Sequence, residues 1–245
     1  MGLQIPRILG SNYIPSCRDR PSGGPAPGEA KNTGKNRYGE LKFIFGILKL
    51  SILNPMTTQF RNAILGLIHA DPQELDQLIS LCSFKKFHKN EVLSLPGKIP
   101  QEVFFIASGI LRVIVTDANG IEHTIHFASE NQFVADYSSF LLQQPGIYTL
   151  QALEPLEVVV MPRSAIEWGY QSMREGDKFG RKVAEFYFIY QDNRVKNNYS
   201  RTPKERYELM ESIFPKIHQR VPQHMIASYL GITPVHLSRL KKAKG

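Results

Sequence analysis

The chain has 245 residues, a formal net charge of +8 and two cysteines, Cys17 and Cys82. That length buries an adequate core as one large or two small domains. Two cysteines exclude a disulfide framework and a four-cysteine cluster, and they suit a reducing, cytoplasmic compartment. The charge is uneven: 8 lysines and arginines stand against 3 acids over residues 1–55, 13 against 16 over 56–200, and 9 against 3 over 201–245. A basic C-terminal end is the footprint of a nucleic-acid contact, and the mildly acidic middle should sit away from phosphates.

Residues 1–40 are rich in Pro, Gly, Ser and Asn and show no hydrophobic period. Leu41 to Leu53 is apolar but interrupted by Lys42 and Lys49, and its 13 residues are too few to span a bilayer. It also lies too far along the chain, without a small-residue cleavage site, to be a secretory signal. The character of the sequence changes at Met56. Residues 1–55 therefore read as an over-long start assignment or a disordered extension, with a basic, partly amphipathic arm for DNA or membrane as the competing reading.

From Thr57 the pattern becomes globular. Phe60 to His69 reads as a first helix. Asp71-Pro72-Gln73-Glu74 starts a second, which runs to about Leu81, because an acid at the cap, proline at the first position and glutamate at the third satisfy free backbone N–H groups. Cys82, inside an apolar pattern, reads as a core residue. Strands are expected at 84–87, 91–95, 103–107, 109–116, 122–127, 148–153 and 156–161, from Val, Ile and Phe enrichment and from turn signals such as Asp117-Ala118-Asn119-Gly120. Many short strands without long intervening helices point to an antiparallel barrel or jelly roll. Between Asn131 and Gln144 the alternation fails and a short helix and loop are expected.

Helices return after Pro162. Asp177 to about Asn197 is long, with Phe179, Val183, Phe186 and Tyr190 at the 4-3-4 spacing of a paired helix. These four are the expected dimer interface; packing within one chain is the alternative. Thr202-Pro203-Lys204-Glu205 is a further capping box, opening a helix to about Phe214. The last stretch, VPQHMIASYLGITPVHLSRLKKAKG, has the parts of a helix-turn-helix. Ile226, Ala227, Leu230, Ile232, Leu237 and Leu240 point inward, and Gly231 marks the turn. Thr233 caps a second helix whose first residue is Pro234. Its outer face carries the expected DNA-binding set, Thr233, Val235, His236, Ser238, Arg239, Lys241 and Lys242, with Lys244 beyond: Arg239 suits a guanine edge and the lysines suit phosphates.

Catalysis is not expected. No phosphate-cradling glycine loop, nucleophile elbow or HExxH is present. His123 and His126 lie three apart on a strand, so they face opposite sides and make no metal pair; His69, His88, His218, His224 and His236 are dispersed.

An N-terminal helical pair, a small barrel, a long helix and a terminal helix-turn-helix together resemble the Crp/Fnr superfamily of bacterial transcription regulators. The likeness runs from about Thr57 to Lys244 and is carried by VFFIASGILRVIVTDANGIEHTIHF (103–127), ENQFVADYSSFLLQQP (130–145), LQALEPLEVVVMPRSAIE (150–167) and VPQHMIASYLGITPVHLSR. The middle segments look like the cyclic-nucleotide-binding-like regulators of Bacteroidetes-type bacteria. The resemblance implies an α+β chain: a cyclic-nucleotide-binding-like jelly-roll barrel over 56–176, a dimerisation helix over 177–199 and a DNA-binding domain over 200–245. It implies double-stranded DNA and a second copy of the chain as partners, with RNA polymerase and a small-molecule effector as further candidates, and no membrane.

Members that bind cyclic AMP use a glycine-glutamate pair, an arginine and a small hydroxyl residue. Here the first two positions correspond to Ala135-Asp136, and the arginine position falls near Gly146-Ile147. Without that cation the cyclic phosphate has no partner, so cyclic AMP is not the expected effector. Ala135, Asp136, Tyr137, Ser138, Ser139 and Tyr148 are the candidates for holding another ligand; the alternative is that they cap a short barrel helix. No cofactor is implied: a four-cysteine iron–sulfur cluster cannot form here, and no haem site is visible. Pro234 and Val235 stand where well-known members carry base-reading residues, so a different DNA sequence should be read, and the β-hairpin wing of many relatives is not expected.

Overall fold

The computed structural model describes residues 55–242. The expectations for the N-terminal extension, Cys17 and Lys244 lie outside the described residues. The first helix, α1 (Pro55–Leu65), opens at a proline and buries Met56, Thr57, Phe60 and Ile64 on one face. It starts and stops about four residues before the sequence suggests, because the chain reverses at Gly66: the N–H groups of Leu67 and Ile68 both return to the Ile64 carbonyl. The second helix, α2 (Pro72–Ser80), has the expected capping box. Gln73 N–H donates to Asp71 Oδ1 at 2.8 Å and Asp71 N–H donates to Glu74 Oε2 at 3.1 Å. Cys82 Sγ donates to the Leu78 carbonyl, and burial pushes its thiol up to about 12, so it is an inert packing residue.

Eight strands follow: β1 (Ser83–Phe87), β2 (Val92–Ser94), β3 (Glu102–Ser108), β4 (Leu111–Thr116), β5 (Glu122–Ala128), β6 (Gln132–Val134), β7 (Tyr148–Ala152) and β8 (Leu156–Pro162). They form two four-stranded antiparallel sheets, ordered β1-β8-β3-β6 and β2-β7-β4-β5, which is the jelly-roll arrangement. Between the sheets lie Phe104, Ile106, Leu111, Val113, Leu150 and Val158. The other face of β3 turns Val103, Phe105 and Ala107 towards helices, so β3 is buried on both faces and reads as a continuous apolar run. The same double burial explains why β6 escapes sequence reading. Phe133 packs at a tilt against Phe60 and Phe105 on one side while Val134 enters the sandwich on the other, which erases the alternation.

Between β6 and β7 a short helix, α3 (Tyr137–Leu142), interrupts the barrel. After β8 come α4 (Arg163–Ser172) and the 25-residue α5 (Gly176–Ser200). The two cross closely. A Cβ on Gly176 would lie 1.9 Å from the Gly169 carbonyl oxygen, so no larger residue fits there.

The four residues expected at the dimer seam make contacts within their own chain. Phe179 is buried, Val183 and Phe186 pack with it against the outer apolar face of the β1-β8-β3-β6 sheet, and the Phe179 ring meets Phe133 at 5.6 Å. Tyr190 turns towards β5 of its own chain. The physical reason is that this sheet face carries Phe105 and Phe133 and must be covered: Phe60 of α1 packs on both rings, and Phe179 brings α5 onto Phe133. The apolar residues that α5 leaves exposed are Phe188, Ile189, Val195 and Tyr199.

Candidate nucleic-acid interface and effector barrel

Four helices close the chain: α6 (Pro203–Ile213), α7 (Ile217–Arg220), α8 (Gln223–Leu230) and α9 (Pro234–Lys242). Thr202 and Glu205 cap α6 reciprocally, as their sequence requires. The turn residue Gly231 has φ 65°, the left-handed conformation a glycine tolerates, and Ile232 N–H closes back on the Ala227 carbonyl at 3.0 Å. Thr233 Oγ1 then accepts the His236 N–H and caps α9. Ile226, Ala227, Leu230 and Leu237 form a buried core with Tyr207, Met210, Phe214 and Ile217. Ala227 is fully buried where a larger side chain would hold the helices apart. The outer face of α9 is open: Thr233, Val235, His236, Ser238, Arg239 and Lys242 are exposed, and Lys241 is half-buried. α9 contains no acidic residue to neutralise Arg239, Lys241 or Lys242.

This helical unit is anchored to the barrel of its own chain. Thr124 N–H on β5 donates to Ser228 Oγ at 2.9 Å, and the Phe127 ring packs 5.4 Å from Tyr229. Arg220 pairs with Glu130 at 2.6 Å and also with Glu154, which tether α7 to two barrel turns. Burial alone would raise the Glu130 carboxyl, but the hydrogen bonds from Arg220 and from Gly109 N–H hold it below the usual carboxylate value.

A buried polar chain runs through the same joint. His126 Nδ1 lies 2.6 Å from the Tyr190 hydroxyl, which lies 3.0 Å from the Tyr229 hydroxyl, so one line of contacts links β5, α5 and α8. His126 and His123 part company as expected: His123 is exposed and pairs with Asp117, while His126 is 1 % exposed. Burial, reinforced by the Arg194 charge, holds the His126 imidazole well below its ordinary 6.5. The sign follows. The unfolded chain takes up a proton that the folded chain refuses, so this group's stabilisation is complete above about pH 6.5 and is lost as pH falls below it. Melting temperature is expected to drop between pH 7.5 and 5.5 in calorimetry, and His126→Gln to flatten that slope; an unchanged slope would assign it to other groups.

In the barrel, the six candidate ligand residues divide. Ala135, Asp136 and Ser139 are buried, Tyr137 and Tyr148 are half-buried, and Ser138 faces solvent. Asp136 caps α3: its Oδ1 accepts the Ser139 N–H at 3.4 Å. Its Oδ2 accepts the N–H groups of Ile147, at 2.9 Å, and Tyr148, at 3.4 Å. The carboxylate thus sits in a small nest of backbone donors. A Cβ on Gly146 would lie 2.8 Å from that same Oδ2, so this position cannot carry any larger side chain while Asp136 is so placed. Above it, Tyr137 and Tyr187 pack with ring centres 5.2 Å apart. Burial raises the phenols of Tyr187, to about 12, and of Tyr148, and the nearby Asp136 charge adds to both. Asp136 thus ties α3 to the start of β7, and aromatic side chains pack beside it. Sequence reading missed Tyr187 and Arg163, which stacks on the Phe140 ring at 4.4 Å.

Among the described residues, no group of three His, Cys, Asp or Glu could hold a metal ion, and no helix is long and apolar enough to cross a membrane.

Residues 84–172 match the family model described as the cyclic nucleotide-binding domain. No curated protein sequence matches the chain. Among solved structures, FixK2 from Bradyrhizobium japonicum is similar at TM-score 0.55 and 14% identity, over 66% of this chain and 83% of that one. The c-di-GMP-responsive global regulator CLP of Xanthomonas campestris is similar at 0.55 and 12%, over 71% and 91%. A Crp/Fnr-family regulator from Eubacterium rectale is similar at 0.55 and 12%, over 71% and 82%. At these identities the likeness is one of fold.

Proposed function

We propose, from the premise that residues 84–172 form a cyclic nucleotide-binding domain within a Crp/Fnr-type fold, that this protein is a homodimeric DNA-binding transcription regulator whose effector is not cyclic AMP. The observation that carries the reading is the uncovered outer face of α9, basic and free of acids, on a buried helix-turn-helix core. Two such helices about 34 Å apart would enter successive major grooves and read an approximate palindrome. The exposed residues of α5 support the pairing: Phe188 and Val195 lie seven apart, with Tyr199 one turn on, a heptad stripe facing away from the barrel. Double-stranded DNA and a second copy are thus the proposed partners, in the cytoplasm.

The effector reading rests on Asp136 and Gly146. A cyclic phosphate needs backbone donors and a cation; here two backbone donors are taken by a carboxylate, and neither Gly146 nor Ile147, where the cation is expected, supplies one. Calorimetric titration of cyclic AMP into the full chain is expected to give no saturable heat, and micromolar binding would overturn this part.

The rival reading is a small-ligand sensor module without sequence-specific DNA binding. Salt separates the two. Lys241 and Lys242 from two copies are four phosphate contacts, so DNA affinity measured by fluorescence anisotropy should fall roughly hundredfold between 50 and 200 mM salt. Arg239→Ala should cost about 1–3 kcal/mol and relax base preference at one position per half-site in a binding-site selection. An equal loss on all sequences would make Arg239 a phosphate contact, and no loss at all would favour the module.

A further inference from the structure

The crossover from β2 to β3, residues 95–101, carries the chain from one sheet of the barrel to the other and borders a cleft of about 320 Å³. Val92, Leu95 and Ile99 line this cleft and are exposed, and Phe104 lines it from the core of the sandwich. Single exposed apolar residues are ordinary, but three around one cleft point to a surface that a ligand covers. β2 is an edge strand, and its pairing with β7 slips between Val92 and Ser94, a bulge of the kind that re-aims side chains beside binding sites. The polar groups of the lining are few. Gln101 donates to Gln143 at 3.2 Å, and Glu102, the one acid, pairs with Lys85 at 3.6 Å. Lys98 is exposed and makes no ion pair among the described residues. The cleft therefore offers apolar walls and one uncommitted cation.

We infer that this cleft binds a small amphipathic carboxylate, its hydrocarbon against Val92, Leu95, Ile99 and Phe104 and its head at Lys98. The volume lies at the lower end of the roughly 300–1,000 Å³ of small-ligand sites. None of the six residues considered above for an effector, Ala135 to Ser139 and Tyr148, lines the cleft, so the two places are distinct. They are nevertheless joined. Gly97, at φ 84°, donates its N–H to the Gly146 carbonyl at 2.9 Å, and Gly146 N–H returns to the Lys98 carbonyl at 2.8 Å. The next N–H, that of Ile147, is the one Asp136 accepts, and α3 beyond it meets α5 through Tyr137 and Tyr187. A ligand that holds the crossover would thereby hold the start of β7 and bear on α3 and the long helix. The inference does not rest on the DNA reading, since the ligand is titrated without DNA.

The test titrates sodium acetate, butanoate, hexanoate and octanoate into the full chain at matched ionic strength, below the concentration at which octanoate forms micelles. Isothermal titration is expected to show saturable binding, submillimolar for octanoate, that tightens about two- to fourfold per methylene as hydrocarbon is buried. Hexanol, with the carbon count of hexanoate and no charge, should bind at least about fivefold more weakly. Lys98→Gln should bring hexanoate down to the level of the alcohol and leave the alcohol unchanged. Ile99→Glu, at an exposed position, should abolish binding of both, with melting curves of the free variants showing that each is folded. Should Ile99→Glu not fold, Lys98→Gln decides alone. No saturable heat from any of the four carboxylates, an affinity indifferent to chain length, or binding unaltered in the folded variants overturns the inference. So does a hexanol affinity equal to that of hexanoate, which would make the cleft a site for neutral apolar molecules.

Discussion

Asp136→Ala is expected to destabilise the protein by about 2–4 kcal/mol, one of the largest effects of any single polar substitution in the barrel. Two losses add. Loss of a side-chain cap on α3 costs about 1 kcal/mol. The N–H groups of Ile147 and Tyr148 lose a charged acceptor in a partly buried setting, and each such loss costs about 1–3 kcal/mol, less where water can reach. At roughly 2–4 °C per kcal/mol for a chain of this size, calorimetry should record a melting temperature lower by about 5–15 °C. Formate or acetate should restore part of the loss in the variant and leave the native chain unmoved at this site, because an added carboxylate can occupy the vacated nest. Asp136→Asn should fall between, since it keeps one acceptor and turns a donor towards other donors. A variant that melts with the native chain would mean that the nest is satisfied without the carboxylate, and the argument against a phosphate there would lose its ground.

That role was only half legible in the sequence. The missing arginine near Gly146 is visible as a departure from a pattern, and Asp136 before a short helix is visible as a cap. That the same carboxylate turns its second oxygen onto Ile147 and Tyr148, eleven and twelve residues away, depends on how β7 returns beside α3, which no local pattern encodes. The contrast with the capping boxes is instructive. Asp71 with Glu74 and Thr202 with Glu205 close within one turn, so residue type and spacing suffice. The Gly231 turn and the Thr233 cap are local in the same way, which is why the helix-turn-helix could be read before its core was known.

Long-range burial is where sequence reading loses information. A strand covered on one face alternates; β6, covered on both, does not, and its three residues are hidden in an apolar stretch. Arg206 is opaque for the reverse reason. Nothing in KERYEL marks an arginine whose Nε is enclosed, since the enclosure is made by α5 and α8. The His126–Tyr190–Tyr229 line likewise joins residues from three elements, and only the fold brings them into one chain of contacts. The long helix shows a subtler limit. The 4-3-4 spacing of Phe179, Val183, Phe186 and Tyr190 identifies an apolar face correctly, yet the spacing is silent on which body covers it. In the structure its own chain does, and the apolar residues of α5 that stay exposed are Phe188, Ile189, Val195 and Tyr199.

Those residues carry the second large effect. Phe188→Glu is expected to leave the fold intact and abolish pairing of two chains. Phe188 is 70 % exposed and Tyr199 90 %, so a charge at Phe188 meets water in the monomer, with little change in melting temperature of the isolated chain. Across a paired helix the same change sets two carboxylates near one another in an apolar seam, where each is desolvated and repels its mate. If the dimer is what holds two recognition helices on one site, its loss turns a bivalent contact into a monovalent one and should lower affinity for a palindromic duplex by about 10²–10⁴. The effect on a single half-site should be slight. Phe186→Ala is the matched control: Phe186 packs on its own barrel, so it should lower melting temperature while leaving association unchanged. Sedimentation equilibrium on both variants, with anisotropy on full and half sites, separates the two faces of α5. A Phe188→Glu chain that still sediments as a dimer would place the interface elsewhere; one that sediments as a monomer yet binds the palindrome as tightly as the native chain would show that pairing is not what positions α9.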